Sequence, residues 1–128
     1  MLSLNDIRDY CLKKEGKIEE DFPFDEETLV IKVRGKIFLL AGVLEQPVSM
    51  NLKCDPERAK ELRAQYEEVK PGYHMNKKHW NTVTADGSIP DDEILRMIDH
   101  SYELVSAGLP KKRKGTKKTA RRGSSKKS

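Results

Sequence analysis

The sequence predicts an α+β fold: a two-layer sandwich in which helices cover one face of an antiparallel sheet, continued by a disordered basic C-terminal tail. Three observations carry this. Short β-branched, apolar segments in the first half of the chain are separated by tight-turn signals, and connections that short make neighbouring strands run antiparallel. Apolar residues at three- and four-residue spacing mark helices at both ends of the folded stretch and one in the middle. Past Pro110 no large apolar residue follows, so residues 111–128 have nothing to bury against the entropy of ordering. The folded domain is therefore 1–110 and the tail 111–128.

Each element has a local cause. Ser3 and Asp6 form an S-x-x-D cap for a helix over residues 4–15, with Leu4, Ile7, Tyr10 and Cys11 as its apolar stripe and Gly16 as its stop. Residues 18–24 alternate weakly and meet Pro23, as a short edge strand does. Residues 28–34, TLVIKVR, read as a strand because Val30, Ile31 and Val33 are β-branched. Arg34-Gly35 is the turn, and residues 36–44 return as a strand whose near-continuous apolarity puts it centrally in the sheet. Glu45-Gln46-Pro47 turns the chain again, and residues 48–53 alternate in a further return. Asp55 as N-cap and Pro56 at the first helical position start a helix that runs to Tyr66 or Glu68, with Ala59, Leu62 and Tyr66 inward. Pro71-Gly72 breaks the pattern, 73–79 reads as a loop, and 80–85 as a strand closed by Asp86-Gly87. Acids at Asp91, Asp92 and Glu93 open the last helix. Ile94, Ile98, Tyr102, Val105 and Leu109 form its buried face, and Gly108 and Pro110 end it.

Charge divides the chain more sharply than its net +4 suggests. The last eighteen residues hold ten Lys or Arg and no acid, so the other 15 basic residues face all 21 acids and the body carries −6. Such asymmetry marks an interaction tail. Cys11 and Cys54 lack a CxxC partner and are read as reduced thiols. The N-terminal stretch has no apolar run of the ~7–15 residues that a signal peptide needs, and nothing approaches the ~18–20 of a membrane span. A cytoplasmic protein without a membrane partner is expected, where nucleic acid is the abundant polyanion.

Two stretches carry more than pattern. NLKCDPERAKELR (Asn51–Arg63) and GYHMNKKHWNTV (Gly72–Val83), with DHSYELV (Asp99–Val105), DFPF (Asp21–Phe24) and the Gly35-Lys36 turn, resemble the MmcQ/YjbR family over residues 3–110. The resemblance implies a CyaY-like or secretion-chaperone-like fold. It implies no reaction; members are commonly labelled DNA-binding. The tail lies outside the resemblance.

The candidate chemistry is electrostatic. Lys111, Lys112, Arg113, Lys114, Lys117, Lys118, Arg121 and Arg122, spaced by Gly, Ser and Thr, form a polycation. Each phosphate it neutralises releases counterions, about −0.9 in the slope of log K against log salt. In the YHMNKKHWN segment, Lys77 and Lys78 are interleaved with Tyr73, His74, His79 and Trp80, and with Asn76 and Asn81, which suits stacking and phosphate contact. Trp80, the only tryptophan and the opening residue of a strand, reads first as a core residue, with its indole N–H needing a partner. Lys53, Arg58, Lys60 and Arg63 surround the second helix start and extend a basic face; as ordinary helix surface, Arg63 pairs with Glu67 at i,i+4. His74 and His79 are five apart, wrong for one helix face, so no metal is expected. Cys54 sits before a helix N-terminus, which lowers a thiol pKa, or else is a small buried hydrophobe. No phosphate loop or catalytic triad appears, and neither catalytic residues nor a cofactor are expected. The reading is a non-enzymatic nucleic-acid-binding protein, DNA in the first instance. The tail supplies affinity, while Lys53, Arg63, Lys77, Lys78, His79 and Trp80 orient the ligand. The alternative is a protein-interaction or chaperone-like module.

Overall fold

Two residues with positive φ, Arg34 at 48° and Gly35 at 85°, close the central hairpin, as a two-residue turn of the mirror-image type requires. They join β2 (Thr28–Val33) to β3 (Lys36–Gly42). The computed structural model of the chain describes residues 1–72 and 76–108. The tail, Leu109 and the candidates Tyr73 and His74 lie outside the described residues. Around the hairpin the chain runs α1 (Leu4–Leu12), β1 (Ile18–Asp21), then β4 (Val48–Lys53), α2 (Pro56–Gln65), β5 (Val69–Pro71), β6 (Trp80–Ala85) and α3 (Asp91–Ala107). The six strands form one antiparallel sheet in the order β1-β2-β3-β4-β6-β5. The α+β architecture is thus the one expected, with β3 central as its apolarity implied.

The continuous apolar run of β3 has a specific cause. The β2–β3 register pairs Ile31 with Leu39 but Lys32 with Ile37, leaving Phe38 as an extra, bulged residue. Phe38 and Leu39 are consequently both buried in the core cluster. β4 and β6 alternate strictly, whereas on β2 Leu29, Val30 and Ile31 are all buried, Val30 opposite Leu40 on the other face. Leu29, Ile31, Val33, Met50, Leu52 and Val83 join Ile7 and Cys11 of α1, Ala59 and Leu62 of α2, and Ile94, Met97, Ile98 and Val105 of α3 in the core. Burial of side chains this size stabilises by about 1.5–3 kcal/mol each.

Polar ties fix the helices on that face. Ser101 of α3 is fully buried; its hydroxyl donates to the Phe38 carbonyl (2.5 Å) and accepts from Lys53 N–H (2.9 Å). The Phe38 ring meets Tyr102 edge-on at 5.5 Å. Asp99 accepts from Tyr10 Oη at 2.8 Å and from Lys14 Nζ at 2.5 Å, joining α3 to the end of α1. Arg8 and Glu20 join α1 to β1 at 2.5 Å.

Four boundaries differ from expectation. α1 stops at Leu12 with Lys13 as its C-cap, before Gly16 turns the chain at φ 96°. β1 ends at Asp21 and β3 at Gly42, which leaves Phe22, Phe24 and Leu44 exposed. α2 ends at Gln65 because Tyr66 is already extended. That frees residues 69–71 to pair with β6, a strand too short for alternation to signal.

Candidate nucleic-acid interface

β4 and β6 pair over six residues, from Val48 opposite Ala85 to Lys53 opposite Trp80. Alternation sends Met50, Leu52, Asn81, Val83 and Ala85 toward the helices. It sends Ser49, Asn51, Lys53, Trp80, Thr82 and Thr84 to the helix-free face. Lys70 joins them from β5, opposite Thr82. Directly opposed side chains stand about 4.5–5.5 Å apart at Cβ, so Lys53 and Trp80 are immediate neighbours. The Thr82 hydroxyl donates to Asn51 Oδ1 at 2.6 Å in the middle of this surface.

The face is divided by charge. None of its positions on β4, β5 and β6 is acidic. At the opposite edge β1 contributes Glu19 and Asp21, and Lys32 is held by Asp21 at 3.2 Å. Asp25 follows in the loop beyond β1, its Oδ1 accepting from Glu27 and Thr28 N–H at 2.8 Å each. Those donors hold its carboxyl below the usual carboxylate range.

The turn before β6 is built by Asn76. Its carbonyl accepts from His79 and Trp80 N–H, and its Oδ1 from Lys78 N–H at 2.9 Å. Asn76 thus shapes the backbone, and Lys77 and Lys78 stand exposed on the turn it makes. Arg63 holds this turn to α2. Its Nε donates to Asn81 Oδ1 (2.8 Å), and one terminal nitrogen to the carbonyls of Lys77 (2.5 Å) and Trp80 (3.3 Å). The expected Arg63–Glu67 helical pair does not form, because α2 ends before Glu67. Arg63 acts here as the residue that positions Lys77, and Asn81, 2% exposed, faces the interior rather than a ligand.

His79 is half-buried, and its carbonyl accepts from Cys54 N–H at 2.7 Å. Trp80 is also half-buried and lies on the helix-free side, outside the core cluster. Gly72 makes room for it: a Cβ there would lie 3.0 Å from Trp80 Cβ and 3.1 Å from its carbonyl oxygen.

The thiol reading resolves toward burial. Cys54 is 4% exposed, and burial raises its pKa although Arg58 pulls it down; the activated thiol that a helix N-terminus would give is not formed. His100 Nε2 accepts from Asp55 N–H at 3.1 Å beside it. The gap lined by Cys54, Arg58, Asn81 and His100 holds about 10 Å³, one water at most. Among the described residues no cluster of three His, Cys, Asp or Glu could hold a metal ion. No helix among them is long and apolar enough to cross a membrane.

Sequence reasoning missed Lys70 and Phe24. Lys70 belongs to the unexpected β5. The 65% exposed Phe24 ring had a signal, an aromatic flanked by Pro23 and Asp25 in a mostly polar stretch.

Comparison with known proteins gives one family. The family model described as YjbR matches residues 12–104. The uncharacterized protein YjbR of Escherichia coli K12 is 34% identical over 113 residues, 88% of this chain and 95% of the relative. A crystal structure of a Deinococcus radiodurans protein with a DUF419 domain superposes with TM-score 0.80 at 40% identity, covering 84% of this chain and 81% of that one. A Pseudomonas syringae crystal structure superposes with TM-score 0.69 at 27% identity, covering 81% of this chain and 99% of its own.

Proposed function

The chain belongs to the YjbR family, and on that footing we propose that it is a cytoplasmic, non-enzymatic nucleic-acid-binding protein. One observation carries the reading. On a body of charge −6, the helix-free positions of β4, β5 and β6 are free of carboxylates and hold Lys53, Lys70 and Trp80 beside the Lys77-Lys78 turn. Segregating cations next to an aromatic ring creates a local positive field on an acidic domain, the footprint a polyphosphate needs. The ten cations of 111–128 add affinity without sequence preference. DNA is the first ligand to test.

The test is a mobility-shift series on the full chain and on a form lacking 111–128, across several salt concentrations. Deletion is expected to remove most of the binding and most of the salt slope. Equal affinity and slope for the two forms would remove the tail from the reading, and no binding by either form would end it. A second reading, a protein-docking module, draws on Phe22, Phe24 and Leu44, which are 46%, 65% and 72% exposed. It predicts a concentration-dependent complex in light scattering and no response to nucleic acid.

A further inference from the structure

The helix-free face holds a second feature that the phosphate contacts do not use. Beside the lysine half, over β3 and β4, lies a recess of about 490 Å³, within the range of small-molecule sites. Leu40 forms its apolar floor, Phe24 its wall, and Ser49 and Asn51 its polar side. Asp25 and Glu45 stand at its rim. The loop carrying Phe24 is fixed by the Asp25 side chain and by Val43 N–H donating to the Glu27 carbonyl at 2.8 Å. The loop backbone beside Phe24 is therefore fixed while its ring stands 65% exposed, unusual for an aromatic.

Resting on the nucleic-acid reading above, we infer that this face takes a single strand, with one unpaired base stacked on Trp80 and another seated in the recess against Phe24. The charge division argues for it. Phosphates are favoured near Lys53 and Lys70 and repelled by Asp25 and Glu45, so what enters the recess is the uncharged base. Its amino edge would donate to those carboxylates, as cytosine N4 does to acidic side chains. Ser49, Asn51 and Lys53 follow one another on the same side of β4, spaced about 6.6–6.8 Å apart at two residues per step. The recess thus runs from about 7 Å (Asn51) to about 13 Å (Ser49) along β4 from the Lys53–Trp80 pair, so neighbouring bases of one strand can reach both. A duplex lying across the face would bring its phosphates against Asp21, Asp25 and Glu45, and its base faces are already covered by stacking.

Trp80 is the only tryptophan, so emission from the full-length protein reports this face alone. The experiment titrates the full chain with a labelled mixed-sequence 12-mer, single-stranded and as the annealed duplex, reading label anisotropy and Trp80 emission. The single strand is expected to bind more tightly than the duplex and to quench Trp80. Phe24→Ala is expected to weaken single-strand binding by about tenfold, the size of one stacked base, and to leave duplex binding unchanged. Phe24→Tyr should restore it. Single-strand binding that neither quenches Trp80 nor responds to Phe24→Ala overturns the inference and leaves the nucleic-acid reading standing. Failure of the unmodified full chain to bind either probe removes both. Should Phe24→Ala instead dissolve a protein complex, the face docks protein and the inference is wrong.

Discussion

Arg63 shows how much one side chain can do by facing inward. Its guanidinium donates to the buried Asn81 amide oxygen and to two carbonyls of the lysine turn. Replacing it with Ala leaves Asn81, 2% exposed, without that partner. Arg63→Ala is therefore expected to lower stability by about 1–3 kcal/mol in urea unfolding, and to weaken nucleic-acid binding through misplacement of Lys77 and Lys78. His100 carries a pH dependence. Burial first and Arg58 second hold its pKa below the ordinary 6.5, against the opposing pull of Asp55 and Glu103. The folded protein thus favours the neutral ring, whose Nε2 accepts from Asp55 N–H. A proton binds the unfolded chain more readily, so this stability is complete above pH 6.5 and is lost as pH falls below it. Unfolding midpoints for the wild type should drop as pH falls below 6.5 by more than those of His100→Gln.

At the scale of elements, α3 is held to the sheet by a single buried hydroxyl as well as by its apolar face. Ser101 serves the Phe38 carbonyl and Lys53 N–H together, and so fixes the end of β4 from which Lys53 projects. Ser101→Ala leaves both backbone groups without this partner and should cost about 1–3 kcal/mol, read by thermal or urea unfolding. The bulge at Phe38 matters in the same way. It lets two consecutive residues reach the core, so the next, Leu40, falls on the helix-free face as the floor of the recess.

For the whole molecule the organising fact is separation of charge: acids on β1 and its following loop, lysines at the other edge, and a polycation at the C-terminus. Lys70 tests whether the sheet takes part beyond the tail. Lys70→Gln in the full chain should reduce the salt slope by up to about 0.9, one phosphate contact, while the fold is retained because the residue is exposed. An unchanged slope would restrict phosphate binding to other cations.

Ser3 and Asp55 as caps, the Arg34-Gly35 turn and the alternation of residues 48–53 and 80–85 were legible because each is decided within a few residues, by backbone preference and side-chain period. Lys53, Lys77, Lys78 and Trp80 were likewise nameable from residue type. Their shared face was not, since it depends on which strands pair and in what register, and Lys53 and Trp80 are distant in the chain. The same holds for β5, made a strand only by β6 beside it, and for Arg63, whose neighbour is the turn rather than Glu67. Local chemistry sets what each segment is. Tertiary pairing decides what each side chain meets, because contact across a sheet is fixed by register and not by sequence distance.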